Sequence, residues 1–146
     1  MGGIDVGRWI GGGTAAGAVI WLLEAAGSLL WSDEMGRAVA AHDLVPATGV
    51  GAIVLTLAAS LAAGLILVFF YAAARPRFGA GPGTAVLVAV VLWVAVYVLS
   101  LVGYGLIGVF PPGLLAAWGA AGLVEMVLAG LLGGWIYREE GEAAGA

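Results

Sequence analysis

The sequence predicts an all-α membrane protein, a single domain of residues 1–146 whose four transmembrane helices pack as a bundle. Hydrophobic residues make up 63% of the chain and charged residues 10%, against about 45–50% and about 25% in soluble domains. The apolar residues fall into four segments, each at least as long as the ~20 residues that cross the ~30 Å hydrocarbon core of a bilayer. The segments lack the apolar–polar alternation of membrane β-strands, so helices are the structure that satisfies their backbone hydrogen bonds in lipid.

The four predicted spans lie at residues 9–31, 50–74, 84–110 and 113–137. The first is longer than the apolar region of about 7–15 residues that a signal peptide has, and it contains Glu24. We therefore interpret it as a membrane span, with a cleaved leader as the alternative. Residues 75–83 are rich in Pro and Gly and predict a turn between antiparallel helices.

The first connection, residues 32–49, is the only loop long enough to hold structure of its own. Ser32 is a suitable N-cap, and Asp33 and Glu34 follow in the first turn, where the helix dipole favours negative charge. Pro46 marks the end of the element. Four residues then share one face at helical spacing: Met35, Ala38, Val39 and His42. This pattern predicts a short amphipathic helix that lies on the membrane surface.

The arginines predict the orientation of the four spans. Both termini and the second loop lie on one side of the membrane, and that side holds Arg8, Arg75, Arg77 and Arg138, whereas the other holds Arg37. The positive-inside rule then places both termini in the cytoplasm. Trp31 and Trp118 fall near the outer interface. Five Arg, no Lys and 26 Gly are typical of a GC-rich bacterial genome, so the expected location is the bacterial cytoplasmic (inner) membrane, crossed in several passes.

Glu24 and Glu125 are the strongest candidates for a functional site. An ionisable side chain at membrane depth costs at least ~2.5–3.5 kcal/mol to insert, so it normally faces protein or water. Both lie on stripes of small residues, which favour close helix packing: Gly13, Gly17 and Gly27 with Glu24, and Gly122, Ala129 and Gly133 with Glu125. The functional interpretation is a pair of carboxyls that handle a proton or a cation. The structural alternative is a pair of protonated acids that hydrogen-bond Ser, Thr or Tyr side chains.

Three aromatic residues near mid-membrane, Trp21, Trp93 and Tyr97, complete the candidate proton or ligand site. Their rings are suited to stack on a flat or cationic ligand above a carboxylate. The alternative is that they pack in the bundle or face lipid.

The composition argues against other chemistries. Without Cys, without Lys and with one His, the chain has few residues suited to hold a metal ion, an iron–sulfur cluster or a covalently attached cofactor, so no metal or cofactor site is predicted. The net charge of −4 and the lack of a basic stripe argue against nucleic-acid binding. A membrane enzyme would need a convergent polar site, such as a groove joining His42 to the acids of the first loop.

Three short stretches of the chain carry a family resemblance. AAARPRFGAGP at residues 72–82, VEM at 124–126 and GWIYRE at 134–139 resemble a set of uncharacterised bacterial four-helix integral membrane proteins. The resemblance covers most of the chain and implies the fold; no activity is established for that family, so none is implied here. Small multidrug exporters also have four helices and a Glu in the first, but WLLEAAGSL at 21–29 lacks their pattern, which leaves an analogy of fold alone.

The predicted function is that of a non-enzymatic accessory or interaction protein of the inner membrane. The alternative is a proton-coupled small transporter or ion conductor that uses Glu24 and Glu125. A cavity reaching both carboxyls favours transport, and a closely packed bundle favours the accessory role. The expected partner is the lipid bilayer, with a homo-oligomer or a larger membrane complex as open alternatives.

Overall fold

A computed structural model describes residues 4–137, and in this part of the chain the regular structure is entirely helical. The helices are α1 (Val6–Ala40), α2 (Val50–Phe78), α3 (Pro82–Trp93), a π-helical turn (Val94–Val98), α4 (Leu99–Ile107) and α5 (Pro112–Ile136). Helix α3, the π turn and α4 are continuous and form the third span, Pro82–Ile107. Among the described residues, four helices are long and apolar enough to cross a membrane, which confirms the predicted all-α fold with four candidate spans.

The first helix is longer than predicted. Helix α1 has 35 residues and a length of about 52 Å at 1.5 Å per residue, well beyond the ~30 Å of hydrocarbon. Asp5 caps its start by accepting a hydrogen bond from the Arg8 N–H at 2.9 Å. The prediction of a separate helix in the first loop was wrong, because residues 33–40 continue α1 without a break. No proline lies between Trp31 and Ala40, so the backbone hydrogen bonding of α1 continues through the capping sequence.

The second loop is shorter than predicted. Helix α2 continues through Pro76 to Phe78, which places Arg75 and Arg77 in its last turn, where the dipole favours positive charge. The turn that follows is held by two side chains. Thr84 Oγ1 donates to the Gly79 carbonyl at 2.7 Å, and the Gly81 N–H donates to the Tyr71 hydroxyl at 3.1 Å.

The same end of the bundle carries a cluster of two tyrosines and an arginine. The Arg75 guanidinium lies 5.9 Å from the Tyr71 ring centre and 5.4 Å from that of Tyr137, within the range of cation–π attraction. The Asp5 N–H donates to the Tyr137 hydroxyl at 3.1 Å. These contacts join the start of α1, the end of α2 and the end of α5.

Helices α2 and α5 contact each other and form the middle of the arrangement, and the most extensive contact in the bundle is that of α1 with α2. Helix α1 packs on α2 and α5 from one side, and α3 packs on the same two helices from the other. No Cα atom of α1 lies within 8 Å of one in the third span, and α4 approaches no other span except α5. The bundle is therefore closely packed toward the second loop and opens between α1 and α4 toward the first loop.

Glycines permit the close packing of α1 on α2. A Cβ atom on Gly64 would overlap the backbone of Gly13 and Gly17, and one on Gly17 would lie 2.6 Å from the Leu61 Cα. Two of the small-residue pairs in the sequence, Gly13–Gly17 and Ser60–Gly64, thus meet within one chain, as helices packed in lipid often do.

Candidate proton and ligand site

Three of the predicted site residues meet at one point in the bundle. The Tyr97 hydroxyl oxygen lies 2.9 Å from Oε1 of Glu24 and 2.8 Å from Oε2 of Glu125. Ser60, on α2, donates to the other oxygen of Glu24 at 3.3 Å. The site therefore takes one polar group from each span: Glu24 from α1, Ser60 from α2, Tyr97 from the third span and Glu125 from α5.

The two short contacts of Tyr97 constrain the protons of the site. A tyrosine hydroxyl has one hydrogen and can donate to one acceptor only. The second oxygen–oxygen contact is a hydrogen bond when the carboxyl at that end is protonated and donates to the Tyr97 oxygen. The geometry thus suits a chain of three groups with one proton on one carboxyl and one on the hydroxyl.

The two carboxyls differ in their surroundings. Glu125 is 7% exposed and packs in the core side of α5, whereas Glu24 is exposed to the space between the spans. Tyr97, half-buried between them, connects an enclosed acid with an accessible one.

Two backbone features, the π turn and Gly122, allow Tyr97 to contact both carboxyls. Tyr97 lies in the π turn, where the Leu99 N–H bonds to the Val94 carbonyl in the i→i+5 pattern. This wider turn rotates the side chains of α4 relative to those of a continuous α-helix. Gly122 then allows the ring to pack against α5, because a Cβ atom there would lie 2.5 Å from two carbons of the Tyr97 ring.

Both carboxyls line a cleft of about 730 Å³ between the spans, which we call the central cleft. The buried side chains of Ile20 and Met126 lie at its deep end, and it extends along α1 as far as Met35. Below it, buried Leu67, Ala129 and their neighbours close the bundle. Glu24 and Glu125 are the charged residues of the lining, and no basic residue is among the described residues that line it.

Aromatic side chains lie on the first-loop side of the carboxyls. Trp31 is seven residues after Glu24, Tyr104 seven after Tyr97, and Trp118 seven before Glu125, and all three line the central cleft. Residues seven apart share a helix face and are separated by about 10 Å. The seven-residue spacing is visible in the sequence and could have linked these aromatic residues to the polar ones. From the sequence, Trp31 and Trp118 are instead predicted to lie at the outer membrane interface.

The other two predicted aromatics do not take part in this arrangement. The Trp21 Nε1–H donates to Thr56 Oγ1 at 3.3 Å, on the α2 side of α1. The Trp93 Nε1–H donates to the Gly119 carbonyl at 2.8 Å, joining the third span to α5. Neither ring lines the central cleft. Both indoles instead bond α-helices to one another, the role that the packing alternative gave them.

Comparison of the chain with protein-family models, with curated proteins and with solved structures finds no match. The resemblance noted in the sequence therefore gives no information on the function, and a functional inference rests on the residues of the site itself.

Proposed function

We propose that the protein is a proton-linked transporter of a small solute, with Glu24, Tyr97 and Glu125 as its proton-binding group. The observation that carries this proposal is the central cleft, which reaches both carboxyls at once. An ionisable residue at membrane depth is expected to serve transport or proton relay when it faces a cavity. A closely packed interior would favour the accessory role. In the described part of the chain, such packing lies on the second-loop side of the site.

The linkage follows from the hydroxyl that the two acids share. When both carboxyls hold a proton, the three groups are neutral and suited to a low-dielectric interior. Loss of a proton leaves a negative charge that a cationic solute or water in the cleft can stabilise. Binding of a cationic solute and binding of a proton at the carboxyl pair would then exclude one another, which is the requirement for exchange.

Other arrangements have less support. His42 lies exposed in the turn after α1 and is not among the residues that line the central cleft, so it takes no part in the proposed site. The accessory role remains the alternative, and it predicts that the carboxyls do not exchange protons with solvent.

We propose further that the protein lies in the bacterial inner membrane, surrounded by lipid, with the second loop in the cytoplasm. Arg8, Arg75 and Arg77 support this orientation; Arg138, which was also part of the prediction, lies outside the described residues. The central cleft would then open toward the outside. Residues 33–40, as the last turns of α1, would extend beyond the hydrocarbon instead of lying on its surface.

Infrared difference spectroscopy of the protein in liposomes, titrated from pH 5 to pH 9, tests the proton linkage. We expect a protonated-carboxyl band that titrates in this range and that is reduced in both Glu24→Gln and Glu125→Gln. Because Gln keeps the shape and accepts the Tyr97 hydrogen bond, Glu125→Gln should unfold within about 1 kcal/mol of wild type. Glu125→Ala, which opens a cavity, should destabilise the protein by more.

Two results would contradict the proposal. A carboxyl band that does not change over the whole range would indicate a structural pair, as the accessory role requires. Full ionisation of both carboxyls at pH 6 would mean that neither carboxyl holds the proton that the second contact of Tyr97 requires.

A further inference from the structure

We infer that the solute of the central cleft is an organic monocation with an aromatic or otherwise flat apolar body. This inference rests on the proposed transport function and names the chemical class that the site is built to hold. It follows from the charge, the size and the aromatic residues of the cleft.

Charge comes first. The carboxyls of Glu24 and Glu125 differ in exposure but line the same cleft, together with Tyr97 of the third span. Helix α2 contributes Ser60 and no titratable group to this lining. The described lining has no Arg or His to neutralise an anion. An anionic solute would bring like charge against a deprotonated acid, and a cation would find its counter-ion there.

The size of the cleft argues against a bare metal ion as the principal ligand. A volume of about 730 Å³ is in the range of sites that enclose drug-sized molecules. Inorganic cations in proteins are held by several oxygen ligands at short distances, and among the described residues no group of three metal-binding side chains occurs. The rest of the volume is lined mainly by apolar side chains, which matches a solute with an apolar body.

Aromatic residues define the shape of that body. Trp31, Tyr104 and Trp118 lie about 10 Å from the polar groups on three different spans, all on the first-loop side. The Trp118 ring packs edge-on against Phe110 at 5.0 Å, and Phe110 against Tyr104 at 5.8 Å. A positively charged group at the carboxyls would thus leave the apolar part of the same molecule between aromatic rings.

Three probes that share a phenylbutyl group and differ in the charge of the head group test the inference: phenylbutyltrimethylammonium, phenylbutanol and phenylbutanesulfonate. Their binding to the full-length protein in detergent is measured by calorimetry at pH 8.5 and at pH 6. We expect the ammonium to bind at least tenfold more tightly than the alcohol at pH 8.5, and the sulfonate to show no binding. The fixed charge of the ammonium ensures that any change with pH belongs to the protein.

Variants locate the binding. Glu24→Gln should weaken ammonium binding at least tenfold, and Glu125→Gln supplies a second test should the first variant fold poorly. Trp118→Ala should weaken it about fivefold. The matched control is Trp21→Ala, which removes an indole of the same size outside the cleft and should leave the affinity unchanged.

The outcomes separate this inference from the proposed function. Equal affinity for ammonium and alcohol, tighter binding of the sulfonate, or no binding of any probe would overturn the organic-cation assignment. If the ammonium binds selectively but equally at both pH values, the ligand class stands and the proton linkage fails. If the carboxyl band titrates but the ammonium does not bind, the proton linkage stands and the ligand class is wrong.

Discussion

At the scale of single residues, the centre of the molecule is a hydroxyl with two acidic neighbours. Tyr97 links α1 to the third span by a hydrogen bond, although no Cα atom of α1 lies within 8 Å of a Cα atom in that span. Its contact with Glu125 is the more enclosed, since Glu125 is nearly buried. The hydroxyl therefore joins the more accessible carboxyl, Glu24, to the more enclosed one, Glu125.

Tyr97→Phe is predicted to destabilise the protein by about 1–2 kcal/mol, because it leaves a buried Glu125 oxygen without its partner. Unfolding in mixed micelles with increasing SDS measures this difference. Tyr104→Phe is the matched control: its ring lines the same cleft, its side chain is 45% exposed, and its unfolding free energy should change by less than about 0.5 kcal/mol. Equal losses in the two variants would show that the Tyr97 bridge contributes nothing to stability.

The sequence points to Glu24 and Glu125 because ionisable groups in apolar helices are costly enough to require partners, and it points to Tyr97 only as one of three aromatic rings near mid-membrane. It could not separate Tyr97 from Trp21 and Trp93. All three rings lie at similar depth, and the difference arises from the π turn and from the space above Gly122. A π turn in a run of Val, Ala and Leu has no local sequence signal, so this part of the site required the structure.

At the scale of elements, α1 and α2 are held together by a crossing of backbones. Gly64→Ala is predicted to destabilise the protein by about 1–3 kcal/mol, because the new methyl group meets backbone atoms of α1 that have no room to move. Gly103→Ala in α4 is the control, since a Cβ atom there meets nothing within 4 Å. It should be neutral or stabilise by up to about 1 kcal/mol through higher helix propensity. SDS unfolding of both variants provides the comparison, and a reversed order would contradict the close crossing.

The helix boundaries show which signals are reliable. The existence and type of all four spans followed from length and hydropathy, because the bilayer sets both. The ends did not follow as well: α1 continues past Ser32 and α2 past Pro76. A capping residue starts a helix only where the preceding backbone is not already helical, and a proline near a helix end removes few hydrogen bonds.

At the scale of the whole molecule, the orientation is open to a direct test. The chain has no Cys, so single cysteines can be introduced without a background. In intact cells, a cysteine at Ala41 is predicted to react with a membrane-impermeant thiol reagent, and one at Gly79 to react only after the membrane is opened. Labelling of Gly79 from outside would reverse the orientation and place the mouth of the central cleft in the cytoplasm.

The position of Glu125 along α5 has an electrical consequence. It lies thirteen residues after Pro112 and eleven before Ile136, close to the midpoint of the span. A proton that reaches it from the outer solution would cross up to about half of the transmembrane potential, and a full crossing is worth about 2.3 kcal/mol per 100 mV. In the proposed function, the occupancy of this carboxyl would therefore depend on voltage, by up to about 1 kcal/mol for each 100 mV, as well as on pH. With the cleft open to the outside, an inside-negative potential draws the proton inward and loads the site, so an energised membrane would itself supply part of the work of each cycle.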